Sequence, residues 1–147
     1  MKIHVIAVGK LKSSPLLDLC AEYQKRLGPT VTLREIDAPK GSTSKQEAPL
    51  ILKNLPQKAF IIALDERGET LTSPEFAKKI GGWQNRAGDI AFLIGGADGF
   101  DEKVREKADY LLSFGKQTWP HMLVRVMLLE QIYRARQIAA GHPYHRQ

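Results

Sequence analysis

Two short, unbroken apolar runs constrain this chain more than any other feature. Ala59 to Leu64 and Asp89 to Ile94 are nearly free of polar side chains, and each stops abruptly at turn-forming residues, Asp65-Glu66-Arg67-Gly68 and Gly95-Gly96-Ala97-Asp98-Gly99. Runs of that length without alternation read as strands covered on both faces, the signature of a parallel sheet under helices. Between them, Ser73-Pro74-Glu75 supplies an N-cap, a first-turn proline and a first-turn acid, so a helix is expected from there to Gly81-Gly82 or a little beyond.

The flanking sequence extends the same pattern. Lys2 to Val8 is rich in β-branched residues and reads as a first strand. Ser14 and Pro15 then start a helix whose apolar face is Leu16, Leu19, Cys20, Tyr23 and Leu27, stopped by Gly28-Pro29. Val31 to Asp37 alternates imperfectly, as suits an outer strand. Ser44 and Glu47 have capping-box spacing, but Pro49 falls deep in the resulting helix, which leaves its start open between Ser44 and Pro49. After the glycine cluster, Asp101 caps a short helix to Ala108, and Tyr110 to Phe114 reads as a fifth strand. Strands alternating with helices predict an α/β fold, a mainly parallel sheet with helices on both faces. Ligands of such sheets gather at the carboxyl ends of strands.

The last helix, Pro120 to about Ala140, is the least ordinary segment. From Met122 to Leu129 the only polar residue is Arg125. A helix so apolar around its circumference needs cover on more than one side, which in a small protein suggests a subunit interface. Its second half carries Glu130 and Arg134 at ion-pair spacing. The tail His142-Pro143-Tyr144-His145-Arg146-Gln147 joins imidazoles, an aromatic ring and a guanidinium, the side chains that stack on bases and pair with phosphates.

Composition narrows the function classes. The 147 residues suffice for one domain, residues 1–147, with no repeat or linker to divide it. A net charge of +6 and a pI near 9.5 favour an anionic partner such as RNA. No run approaches a membrane span, and Cys20 is the only cysteine, which argues against disulfides and for the cytoplasm. The four histidines match no metal-site spacing, and no metal is expected. A nucleophile elbow is also missing. The glycine loop is neither a GxxxxGK phosphate loop nor a GxGxxG fingerprint, and Asp98 would repel phosphate. A cationic or neutral ligand needing close backbone contact fits it better.

Taken together, Ile94-Gly95-Gly96-Ala97-Asp98-Gly99, Pro120-His121 with Leu123-Val124-Arg125-Val126, Glu130-Gln131-Ile132-Tyr133-Arg134-Ala135 and the terminal His142-Pro143-Tyr144-His145-Arg146 resemble one family over essentially the whole chain. It is the ribosomal RNA large subunit methyltransferase H family, SPOUT-class enzymes that methylate N3 of a pseudouridine in 23S rRNA. The resemblance implies a C-terminal trefoil knot, an exception to unknotted topology. It also implies a homodimer and S-adenosylmethionine as methyl donor. The donor would contact Leu64, Gly95 and Gly96, and the segment Gly115, Lys116, Gln117, Thr118, Trp119 and Pro120. An imide nitrogen must lose its proton to attack, so a base or imidate stabiliser is needed. By residue chemistry and family motif, His145 and His121 are the candidate bases, Arg134, Arg146 and Lys116 the candidates to bind phosphate or the imidate oxygens, and Tyr144 the candidate to stack on or orient the base. Two other readings remain at this point, a ribosome-binding domain without turnover and a methyltransferase of the same fold acting on tRNA.

Overall fold

The computed structural model describes residues Met1–Arg146, so the end of the expected domain, Gln147, lies outside the described residues. Five strands form one parallel sheet: β1 (Ile3–Val8), β2 (Val31–Ile36), β3 (Phe60–Thr70), β4 (Ile90–Ile94) and β5 (Tyr110–Ser113), in the order β2-β1-β4-β3-β5. The five helices are α1 (Pro15–Leu27), α2 (Ser44–Lys53), α3 (Ser73–Ala87), α4 (Glu102–Lys107) and α5 (His121–Ala139). The expected α/β sandwich is therefore present, with β2 as an edge strand and the two apolar runs side by side in the interior as β3 and β4.

Strand alternation sorts the core into two layers. Ile3, Val5 and Ala7 point to the side covered by α1, α3 and α5, where they join Cys20, Phe76, Trp83, Leu128 and Ile132. Ile6 and Val8 point to the opposite side, covered by α2 through Ala48 and Ile51, by α4 through Val104, and by Phe100 just before α4. Cys20 is fully buried, as its place in the apolar stripe predicts, but Leu19 is exposed, because α1 rests on the Leu16, Cys20, Tyr23 and Leu27 line.

The start of α2, open between Ser44 and Pro49 from sequence, falls at the early end: Thr43 caps the helix in a capping box with Gln46, and α2 tolerates an exposed Pro49 in its interior. The start of α3 differs by one residue from expectation. Thr72, not Ser73, caps α3 in a box with Glu75, and α3 runs through Gly81-Gly82 to Ala87 because Trp83 anchors its far end in the core. Strand β3 also continues past Leu64. Residues 65–68 bulge out, and Glu69 and Thr70 rejoin β5 at Leu112 and Ser113. Gly68 makes this possible, since a methyl there would lie 2.4 Å from the Leu111 backbone. Among the described residues no helix is long and apolar enough to cross a membrane.

Candidate active site

The bulge of β3 and the carboxyl ends of β4 and β5 open into a cleft of about 340 Å³. Its walls are residues 64–67 of that bulge and the loops that follow β4 and β5, closed by His121 and Val124 from the first turn of α5. Each segment is fixed by its own local chemistry. In the bulge of β3, Asp65 accepts the Arg67 backbone N–H at 2.9 Å and the Arg105 guanidinium at 2.6 Å, an ion pair that places α4 against the cleft. The Asp65 hydrogen bond raises the Arg105 pKa, so this cation stays charged.

After β4, the glycine loop folds back on itself, with the Gly99 N–H donating to the Gly96 carbonyl at 3.0 Å. Gly99 has φ +73°, and a methyl on Gly95 would approach the Gly99 carbonyl oxygen to 2.9 Å. Two of the three glycines are thus required by the turn itself. Gly96 faces a different neighbour, the carboxylate of Glu47, which is buried at the start of α2. Ser42 donates to Glu47 Oε2 at 2.6 Å, whereas Oε1 has no partner among the described residues.

After β5, the Ser113 hydroxyl donates to the Gly115 carbonyl at 2.9 Å and accepts the Gly115 N–H at 3.0 Å. Gly115 takes φ +117°, and the Trp119 indole N–H reaches the Phe114 carbonyl at 3.3 Å, closing the loop. Trp119 is still partly exposed at the rim.

Beneath the cleft, Arg125 is fully buried. Its guanidinium donates to Glu35 Oε2 at 2.6 Å and to the Val8 and Gly9 carbonyls at 3.3 and 3.1 Å, tying α5 to the ends of β1 and β2. One turn earlier, burial pushes the His121 pKa down and the Arg125 charge adds to this, against an opposing pull from Glu47. His121 is accordingly a neutral imidazole near pH 7, able to accept a proton at the cleft wall.

The C-terminal candidates sit elsewhere. Arg134 forms a two-point ion pair with Glu130, Nη2 to Oε2 at 2.9 Å and Nε to Oε1 at 3.2 Å. The tail turns back after Gly141, so that the Tyr144 hydroxyl donates to Glu130 Oε2 at 2.8 Å and its ring packs edge-on against Tyr133. The Arg134 guanidinium lies 4.9 Å from the Tyr144 ring centroid, and its Nη1 is 3.1 Å from His145 Nδ1. Burial and the Glu130 carboxylate raise the Tyr144 pKa above its ordinary 10, keeping the phenol protonated. Thirteen residues of helix, roughly 20 Å, separate Arg134 from His121.

Of the expected donor contacts, Leu64, Gly95, Gly96, Gly115, Gln117, Thr118 and Trp119 line the cleft together with His121. Lys116 belongs to the same loop without lining it, and Pro120 precedes α5 as its cap residue. Arg134, Tyr144, His145 and Arg146 are not in the cleft of their own chain. Sequence reasoning overlooked Glu47, Asp65, Arg105 and Arg125 as parts of the site. The trace of Glu47 was there, an acid in the stripe of Ala48 and Ile51 that α2 buries. Among the described residues no three His, Cys, Asp or Glu side chains converge as metal ligands would.

Residues 1–145 match the family model described as predicted SPOUT methyltransferase. This chain belongs to the SPOUT methyltransferase family. A relative from Rhodospirillum centenum, named ribosomal RNA large subunit methyltransferase H, is 52% identical, with 99% of each chain covered. Proteins of the same name from Paracoccus denitrificans and Paramagnetospirillum magneticum are 50% and 48% identical, with 100% and 99% of each chain covered. Among solved structures, a probable methylase family protein from Haemophilus influenzae matches with a TM-score of 0.61 at 14% identity, over 99% of this chain and 70% of that one, a likeness of fold. The bare Gly95-Gly96 wall of the cleft and its size suit a ligand that lies against backbone.

Proposed function

We propose that this SPOUT methyltransferase transfers a methyl group from S-adenosylmethionine to N3 of a pseudouridine in 23S rRNA of the large ribosomal subunit, in the cytoplasm and as a homodimer. The cleft between the β3 bulge and the ends of β4 and β5 carries the reading. It combines close-approach glycines for the donor with a neutral imidazole, His121, at one wall. The names of the relatives and the net charge of +6 support RNA as the partner.

Bound in that cleft, the donor supplies a methyl already activated by its sulfonium, so alignment does most of the work and no metal is called for. The backbone of Gly95, Gly96 and the Gly115 to Pro120 segment holds it. His121 accepts the N3 proton of the base as nitrogen takes the methyl. The tail, with Tyr144 and Arg146, serves base and phosphate contact. Since it lies far from the cleft of its own chain, it serves the cleft of the partner subunit. Half-buried Met122, Leu123, Val124 and Met127 on α5 support that dimer, being too apolar to be left half covered. The trefoil knot of the family belongs to the same reading, in one domain spanning residues 1–147.

The test is incubation of the protein with labelled donor and ribosomes lacking the modification, with tRNA offered in parallel. Mass spectrometry should place the methyl on pseudouridine N3. Donor binding without incorporation into the large-subunit RNA would refute the substrate.

A further inference from the structure

We infer that the β1–α1 loop and the segment leading from β2 into the first turn of α2 form a basic ridge beside the cleft, which holds backbone phosphates of the substrate RNA through Lys12, Lys40 and Lys45. The inference rests on the functional reading above and names the side from which the RNA reaches the cleft.

The placement follows from topology. In a parallel sheet every strand ends at the same edge, so the order β2-β1-β4-β3-β5 sets the segments after β2 and β1 next to those that wall the cleft. Contacts join the two regions. On the β1 side, Gly9 packs against α5, where an added methyl would come within 3.2 Å of Met122 Cε, one residue from His121. Arg125 also donates to the Val8 and Gly9 carbonyls. On the β2 side, the start of α2 carries Glu47, whose carboxylate lies against Gly96 in the cleft wall and accepts from Ser42. The two segments meet where Lys10 Nζ lies 3.8 Å from the Asp37 carboxylate.

The ridge presents one sign of charge because its acids are buried or paired. Glu35 accepts from Arg125 and from the Leu11 backbone N–H, and Glu47 is 4% exposed. Asp37 is exposed but has Lys10 beside it. Lys12, Lys40 and Lys45 are exposed, and none has an acidic partner within ion-pair distance among the described residues. The opposite flank of the cleft differs. Around the β3 bulge and α4, the exposed acids Glu66, Asp98, Glu102 and Glu106 outnumber the exposed cations Arg67, Lys103 and Lys107. Arg105 there is already paired with Asp65. A polyanion is therefore drawn to the β1–β2 flank and not to the α4 flank, and a strand held on that flank runs alongside the His121 wall. Lysine suits the task, since a point charge on a flexible stem grips phosphate without reading sequence, and the base is left to be recognised in the cleft.

The test compares two triple variants of the full chain that lose the same charge. Lys12→Gln, Lys40→Gln and Lys45→Gln together remove the ridge. Lys2→Gln, Lys53→Gln and Lys58→Gln together remove exposed lysines from the other edge of the sheet, where β1 and β3 begin and α2 ends. In methyl transfer to ribosomes lacking the modification, the ridge variant should show a KM raised about tenfold or more with kcat within about twofold, and its plot of log affinity against log salt should flatten by about two to three in slope. The control variant should stay within about twofold of wild type, and both should bind S-adenosylhomocysteine as wild type does. An unchanged KM in the ridge variant, or an equal rise in the control, overturns the inference, because the position of the charge would not matter. A rise in KM with an unchanged salt slope also overturns it, and assigns the ridge to ribosomal protein. A wild-type chain that binds donor but methylates no ribosome overturns the substrate reading, whereas an active wild type with an indifferent ridge variant overturns this inference alone.

Discussion

The carboxylate of Glu47 lies against the bare Cα of Gly96, so that a methyl group added to Gly96 would sit 2.8 Å from Oε2 and 3.0 Å from Oε1. Glu47 has no easy retreat, being 4% exposed and held by the Ser42 hydroxyl. Gly96→Ala should therefore push the glycine loop into the cleft. The expected cost is about 1–3 kcal/mol of stability, together with a loss of donor affinity of at least about tenfold. Thermal unfolding and calorimetric titration with S-adenosylhomocysteine would measure both. If the clash is the cause, Glu47→Ala should recover part of the loss in the double variant, and additive effects would speak against it.

Arg125 should be among the most costly side chains to truncate. Removing it strands Glu35 and two backbone carbonyls that it now satisfies beneath the cleft. For Arg125→Ala the expected loss is about 3–5 kcal/mol in urea unfolding. By contrast, Lys10→Ala breaks only the exposed pair with Asp37 and should leave the midpoint where it was.

His121 should make both stability and turnover sensitive to acid. Its folded-state pKa lies below the ordinary 6.5, through burial first and Arg125 second. The unfolded chain therefore takes up this proton before the folded one does. The His121 contribution is full above pH 6.5 and is lost as pH falls from there through the folded-state value, below which it changes no further. An NMR titration should find the His121 midpoint depressed. His121→Gln should flatten that part of the stability profile, and an unchanged slope would remove His121 as its source.

Deleting the tail after Gly141 should separate donor binding from catalysis. The cleft contains no tail residue of the same chain, so S-adenosylhomocysteine affinity is expected to stay within about twofold of wild type. Methyl transfer should fall on the order of a hundredfold with the loss of Tyr144 and His145. Normal methylation by the shortened chain would take the tail out of the mechanism.

Gly81 and Gly82 carry no steric role in α3. Nothing lies within 4 Å of a methyl placed on either, so each change to alanine should raise stability by about 0.5–1 kcal/mol. A calorimetric melt would detect the pair, and a fall in midpoint would mean that another chain packs on this face.

Much of this was legible in the sequence, for identifiable reasons. Unbroken apolar runs ending in turn residues marked β3 and β4, and the cleft forms where those runs stop. What local pattern did not settle was competition between near-equal signals. Ser44 with Glu47 and Thr43 with Gln46 both look like capping boxes, and Thr43 wins because Glu47 is drawn inward to Ser42 and Gly96. The return of β3 at Glu69 depends on β5, more than forty residues on, and no window around Glu69 reports it. The tail was recognisable by its chemistry but not by its position. That position is set by Tyr144 on Glu130 and His145 on Arg134, contacts made across the end of a helix.

Helix α5 has a consequence for how such a chain can vary. It holds His121 at its first residue and Glu130 and Arg134 in its second half, on one rigid element with no Gly or Pro inside it. Loops elsewhere can absorb an inserted residue, but a single insertion between Leu129 and Glu130 would swing everything beyond it by about 100° around the axis and advance it by about 1.5 Å. The helix is in this sense a ruler, and its residue count is as much a part of the site as any side chain it carries. Length differences between such chains should therefore collect in the loops, and leave the interval from His121 to Arg134 untouched.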